Sequence, residues 1–266
     1  MYSSTIVICL GLLIAVQHAI AQEPASSSPS KEVTIDDHGA IIRGDLNKKE
    51  IALVLTGDQF ADGGEVIRTI LNKKNVPASF FLTGNFYANP SFKQLVLGLK
   101  KDGHYLGAHS DRHLLYADWT NRDSLLVTEE EFNADLQNNY KRMAAFGIQR
   151  MDALCFLPPY EWYNSAIARW TRKMHFQLVN FTPGTASAAD YTYPEMRDRY
   201  RSSDEIYQSI MKRESEDPHG LNGFILLVHI GTDPRRTDKF YNKLGTLLDA
   251  LTSQGYSFVR IDRLVR

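Results

Sequence analysis

From Ile51 onward, short apolar runs of the β type alternate with longer amphipathic stretches. The short runs at 51–56, 78–82, 105–108, 153–157, 177–181, 224–229 and 257–261 predict seven strands. Between them, spacing of apolar positions at helical period predicts helices over 65–74, 91–101, 129–146, 165–174, 204–214 and 239–253. Thr128 with Glu131 and Ser202 with Glu205 have capping-box spacing at two helix starts, and Gly103, Gly147 and Gly255 stand where helices should stop. Strands that alternate with helices call for an α/β fold with a mainly parallel sheet, and the number of units suits a barrel-like closure. Upstream, Val33-Thr34-Ile35 and Ile41-Ile42 flank Asp37-His38-Gly39, which predicts a short N-terminal hairpin.

Composition narrows the setting. With 43% hydrophobic and 11% aromatic residues in 266, the chain can build a large core. A formal charge of -1 and the lack of any basic run with interleaved aromatics exclude nucleic acid as an expected partner. The apolar run 6–16, followed by Ala19-Ile20-Ala21 before Gln22, predicts a removable signal peptide over 1–21, although Lys and Arg are missing from its start. The expected location is therefore exported, periplasmic or secreted, with no stable membrane insertion once the signal is removed. An uncleaved anchor is the alternative, disfavoured because the run falls short of the ~20 apolar residues of a membrane span. Residues 22–31, rich in Ser, Pro and Ala, read as a flexible linker, and 32–266 as one domain. Cys9 lies in the signal and only Cys155 remains, so the mature chain forms no intramolecular disulfide.

Candidate chemistry follows from placement. In parallel sheets, functional residues collect at the C-terminal ends of the strands. Asp58 lies just past the first strand, His109 ends the third, Pro158-Pro159-Tyr160 follows the fourth, Asp190 lies beyond the fifth and His229 ends the sixth. His109 and His113, four residues apart, can face one metal ion if the segment turns there; the pair alone reads more often as solvated or capping histidines. An Asp and a further His on the same rim supply a metal site with hydrolytic helpers.

The order Thr56-Gly57-Asp58-Gln59, then His109-Ser110-Asp111-Arg112-His113, then Leu157-Pro158-Pro159-Tyr160, then Leu227-Val228-His229 resembles the polysaccharide deacetylases, the NodB-homology or carbohydrate esterase family 4 enzymes, over about 51–264. The resemblance implies a deformed (β/α) barrel of about seven strands. It also implies an enzyme that removes acetyl groups from carbohydrate with a metal held by an Asp and two His. On that basis His109 and His113 are expected metal ligands. Asp58 stands at the general-base position, while Gln59 stands where the metal-binding Asp belongs. An amide oxygen brings no charge and is a poorer ligand, so Asp58 is expected to bind the metal, with or without its role as base. Leu157 or Phe156 occupies the place of an Arg that orients the base. The backbone N–H of Tyr160 is implied to hold the oxyanion and His229 to act as general acid. The fourth motif is not recognisable; Asp190 and Tyr191 are its nearest candidates and, with Trp162, are expected substrate contacts. Zinc suits such a ligand set, with cobalt or nickel able to substitute. An acetylated glycan is the implied substrate, N- or O-linked. Gln59 and the missing Arg leave two rivals: a deacetylase-like glycan-binding protein with weak or no catalysis, and an amide hydrolase acting on something other than carbohydrate.

Overall fold

The computed structural model describes Met1, Tyr2 and residues 32–266; apart from those first two residues, the expected signal peptide and linker fall outside them. The hairpin is present as β1 (Thr34–Ile35) and β2 (Ile41–Arg43), with Asp36 Oδ1 accepting the N–H groups of His38 and Ala40 at 3.0 Å to hold the turn. The seven expected strands follow as β3 (Glu50–Gly57), β4 (Ser79–Leu82), β5 (Tyr105–Ala108), β6 (Cys155–Phe156), β7 (Gln177–Leu178), β8 (Phe224–His229) and β9 (Ser257–Phe258). The helices are α1 (Gly64–Lys74), α2 (Gly84–Ala88), α3 (Lys93–Lys101), α4 (Glu129–Ala144), α5 (Ser165–Lys173), α6 (Ser203–Glu216), α7 (Tyr241–Ser253) and α8 (Ile261–Leu264). Both expected capping boxes form, at Thr128 for α4 and Ser202 for α6. The short α2 and α8 have no amphipathic repeat long enough to announce them.

The strands form one sheet in the order β1-β2-β8-β3-β4-β5-β6-β7, with β9 also on β3. Pairs among β3 to β9 are parallel, and β2 joins β8 antiparallel. The hairpin curls the sheet into a deformed barrel: Ile41 bridges Val179, Asn180 N–H donates to Ile41 O at 2.9 Å, and the Thr182 hydroxyl donates to Ile42 O. β6 and β7 are shorter than expected. Pro158 has no N–H to continue a ladder, and beyond Leu178 the chain changes partner to the hairpin.

Side-chain alternation splits the core in two, as a sheet covered on both faces requires. Ile51, Leu53 and Leu55 of β3 face the helices with Ile67, Leu99, Phe132 and Leu247. Ala52 and Val54 face inward with Phe81, Ile225, Leu227 and Ile261 of α8. The described residues 32–266 lie in one compact unit. Among the described residues no helix is long and apolar enough to cross a membrane.

Candidate active site

The His-x-x-x-His segment is a loop, not a helix. Left-handed backbone at Ser110 (φ 76°) and His113 (φ 56°) folds it back so that the two imidazole centroids lie 5.2 Å apart. Helix α4 fixes this loop from below. Asn139 Oδ1 accepts the His109 N–H at 2.9 Å while its Nδ2 donates to Leu82 O at 3.3 Å, tying the ends of β4 and β5 together. Asp135 accepts the N–H groups of Asp111 and Arg112, both at 3.2 Å, and the Tyr116 hydroxyl at 2.7 Å. The packing leaves no room at Gly84, where a Cβ would stand 1.8 Å from Asp111 Oδ1.

His109 Nδ1 donates to Leu157 O at 2.8 Å, which leaves the Nε2 lone pair for another partner. Burial pushes the His109 imidazole well below its ordinary pKa, helped by His113 and His229. Burial also lowers His113, against the pull of the nearby Asp58. Both rings are thus held neutral near pH 7, the form in which histidine ligates metal. Leu157, at the position expected for an Arg, is fully buried and serves the site through its carbonyl oxygen.

Asp58 follows β3 and is half-buried, whereas Gln59 is exposed. Asp58 Oδ1 accepts the Thr83 hydroxyl at 2.7 Å and Asn85 Nδ2 at 3.3 Å, so these two residues orient the carboxylate in place of an Arg. Thr83 is also the N-cap of α2, its oxygen accepting the Phe86 N–H at 3.1 Å. Thr83→Val should therefore lower stability by ~1 kcal/mol through the lost cap and release Asp58, with Thr83→Ser restoring both. Urea unfolding checks the first effect, and no difference between Val and Ser variants would rule it out. Two neutral imidazoles and one carboxylate are the right donors for a divalent ion, and Asp58 acts on His113 through space. Among the described residues, however, no three His, Cys, Asp or Glu side chains already converge at metal-holding distance.

Across the cleft, His229 at the end of β8 is held by Asp190. One carboxylate oxygen lies 2.5 Å from Nδ1 and the other accepts the His229 N–H at 2.9 Å. Burial works against the imidazolium, but Asp190 and, more weakly, Glu161 outweigh it and raise the pKa despite the opposing Arg236. Asp190 is itself buried, so it reaches a substrate only through the His229 ring; the direct substrate contact expected for it is replaced by this pairing. Tyr191 does line the cleft, its ring centroid 5.4 Å from that of His229 and its hydroxyl accepting from Arg199 at 2.7 Å.

The turn after β6 places Tyr160 and Glu161 in consecutive left-handed conformations, at φ 59° and 54°. The N–H groups of Glu161 and Trp162 donate to Pro158 O and Pro159 O, leaving the Tyr160 N–H without a carbonyl partner among the described residues. The Tyr160 ring packs on His113 at 4.4 Å and on Trp119 at 5.6 Å. Trp162, the expected sugar platform, is half-buried; its Nε1 donates to Asp118 O at 3.2 Å and Arg122 covers its ring at 4.0 Å. The most exposed ring lining the cleft is instead Trp119, tilted against Trp162 with centroids 5.4 Å apart. Trp119 sits in the irregular stretch between β5 and α4, where no periodicity singles it out.

Asp58, His109, His113, Tyr160, Tyr191 and His229 share one cleft of about 810 Å³, together with Gln59, Trp119 and Glu161. Asp190 stands behind its wall, and Trp162 supports the rim.

The polysaccharide deacetylase profile matches residues 45–179. The chain is 24% identical over 165 residues to peptidoglycan-N-acetylmuramic acid deacetylase PdaA of Bacillus subtilis, an alignment covering 61% of this chain and 58% of that protein. It is 26% identical over 226 residues to peptidoglycan-N-acetylglucosamine deacetylase of Bacillus cereus, covering 83% and 90%. A carbohydrate esterase family 4 pseudoenzyme from Bacillus anthracis has the same fold, with a TM-score of 0.66 at 19% identity over 87% of this chain and 70% of the other. The chain belongs to the polysaccharide deacetylase family, as a divergent member.

Proposed function

We propose that this protein is a metal-dependent deacetylase that hydrolyses acetyl groups, N- or O-linked, from an exported or cell-surface glycan. The observation that carries this reading is the gathering of Asp58, His109, His113, the Tyr160 turn and the Asp190-held His229 in one cleft. Asp58, His109 and His113 would hold the ion, zinc being the first choice and cobalt or nickel substitutes. When bound, such an ion supplies Lewis-acid polarisation of the acetyl carbonyl. The chain's own groups do the rest. The Tyr160 N–H donates to the developing oxyanion, and His229 as imidazolium gives its proton to the departing sugar nitrogen or oxygen. Trp119 and Tyr191 offer apolar faces to the sugar rings on either side. The names of the two curated relatives support testing N-acetylated peptidoglycan sugars first.

The test is acetate release from peptidoglycan fragments, chitooligosaccharides and acetylated xylan, with and without added zinc. Turnover that vanishes in Asp58→Ala and His109→Ala supports the proposal; glycan binding without turnover under any metal favours the second reading, a catalytically weak glycan-binding protein. That second reading draws on Gln59, on Leu157 at the Arg position and on the pseudoenzyme among the structural neighbours. Gln59→Asp separates the two further. A second carboxylate beside Asp58 should tighten zinc binding about tenfold or more, equivalent to ~1.4 kcal/mol, and raise turnover. Competitive zinc titration measures the first effect, and unchanged affinity would refute it.

A further inference from the structure

Three carboxylates line the cleft: Asp58, Glu161 and Asp233. Asp233 is committed to Arg235, which donates from Nε at 2.9 Å and Nη2 at 2.7 Å and drives the carboxyl down to about 2. Asp58 is taken up by Thr83 and Asn85 on the side of His113. Glu161 differs from both. Its N–H donates to Pro158 O at 3.1 Å and its carbonyl accepts Asn180 Nδ2 at 3.0 Å, which anchors the residue. Its carboxyl has no hydrogen bond or ion pair among the described residues. The backbone holds this side chain at the cleft in a left-handed conformation that an L-residue adopts only at a cost, a pattern that clusters at functional sites.

We propose that Glu161 is the general base of deacetylation, leaving Asp58 to the ligand role that Gln59 cannot fill. This rests on the deacetylase reading. In the step, the Glu161 carboxylate takes one proton from water as the water oxygen bonds to the acetyl carbonyl carbon. His229 then gives its proton to the sugar nitrogen or oxygen as the bond from that atom to the carbonyl carbon breaks, releasing the acid. Glu161 returns its proton to solvent and His229 takes one up, so the site is reset. The charged groups acting on Glu161 are His229 and Asp190, and those acting on His229 are Asp190, Glu161 and Arg236. Burial lifts the Glu161 carboxyl to about 7, with His229 pulling down and Asp190 pushing up, which suits a base working near neutrality.

The experiment compares wild-type protein, Glu161→Gln and Glu161→Asp, with zinc supplied, in pH–rate profiles on whichever acetylated glycan the wild type turns over. Glu161→Gln should lose roughly a hundredfold or more in kcat with KM little changed, and lose the acid limb near pH 7; Glu161→Asp should keep that limb at reduced rate. Full turnover with an intact acid limb in Glu161→Gln overturns the proposal. A second readout needs no turnover. The folded chain holds a proton on Glu161 between the ordinary value of 4.5 and about 7, where the unfolded chain has released it. Wild-type Tm should therefore fall relative to Glu161→Gln as pH rises through that window, which supports a carboxyl poised near neutrality. Failure of the deacetylase reading looks different: wild-type protein releases no acetate from any glycan, and the assignment of a base falls with it.

Discussion

Replacing His229 with Ala should cut turnover by about two to four orders of magnitude while leaving glycan binding largely intact. The imidazole is positioned by Asp190 at both its Nδ1 and its backbone N–H, so its free nitrogen is aimed by the protein and not by the substrate. A general acid must be protonated when the leaving group departs. Burial alone would favour the neutral ring, but the Asp190 carboxylate overturns that preference and raises the pKa. Activity should therefore fall on the alkaline side as His229 loses its proton. Asp190→Asn, which removes the opposing charge while keeping the shape, should move that limb to lower pH. The same pair contributes stability that is fully present below the unfolded histidine value and fades as pH rises through the raised folded one. Activity and Tm of Asp190→Asn across pH check both statements together. A limb that stays in place would mean that another group is the acid.

The placement of these residues was legible because strand ends are the most readable part of an α/β chain. Short apolar runs locate the strands, and the polar residue that breaks each run marks the rim; Asp58, His109 and His229 all emerge this way. Asp190 was harder, since it lies in a loop past the two-residue β7, and its place behind His229 depends on how that loop packs. Non-local structure accounts for most of what was hidden. Closure of the sheet by Ile41 and Val179 joins residues far apart in sequence, so the hairpin's part in the barrel could not be read from its turn. Thr83 caps a helix too short to read from the sequence, and only the arrangement of β3 beside β4 brings its hydroxyl to Asp58. Likewise, Trp119 and Trp162 are both aromatic and near motif residues, but Arg122 and Asp118 cover one and leave the other open.

Asp135→Ala should be among the most destabilising single changes in the domain, costing about 3–5 kcal/mol. Asp135 is 3% exposed, and its carboxylate receives two backbone N–H groups from the histidine loop together with the Tyr116 hydroxyl. Removing it leaves two buried donors and a part-buried one, each buried donor worth ~1–3 kcal/mol when unsatisfied, less whatever water can recover. Asp135→Asn, which retains one acceptor oxygen but turns its amide NH2 toward the other N–H, should fall between Ala and wild type. The consequence reaches the site because the left-handed turns at Ser110 and His113 are held open by these bonds and by Asn139. Without them the loop can relax, and the 5.2 Å approach of the two imidazoles is lost. Zinc affinity should then drop in step with stability, whereas in His113→Ala it should drop with the fold intact. Urea unfolding and zinc titration of the three variants separate these outcomes. A loss below ~1 kcal/mol in Asp135→Ala would show that the loop is held by something other than α4.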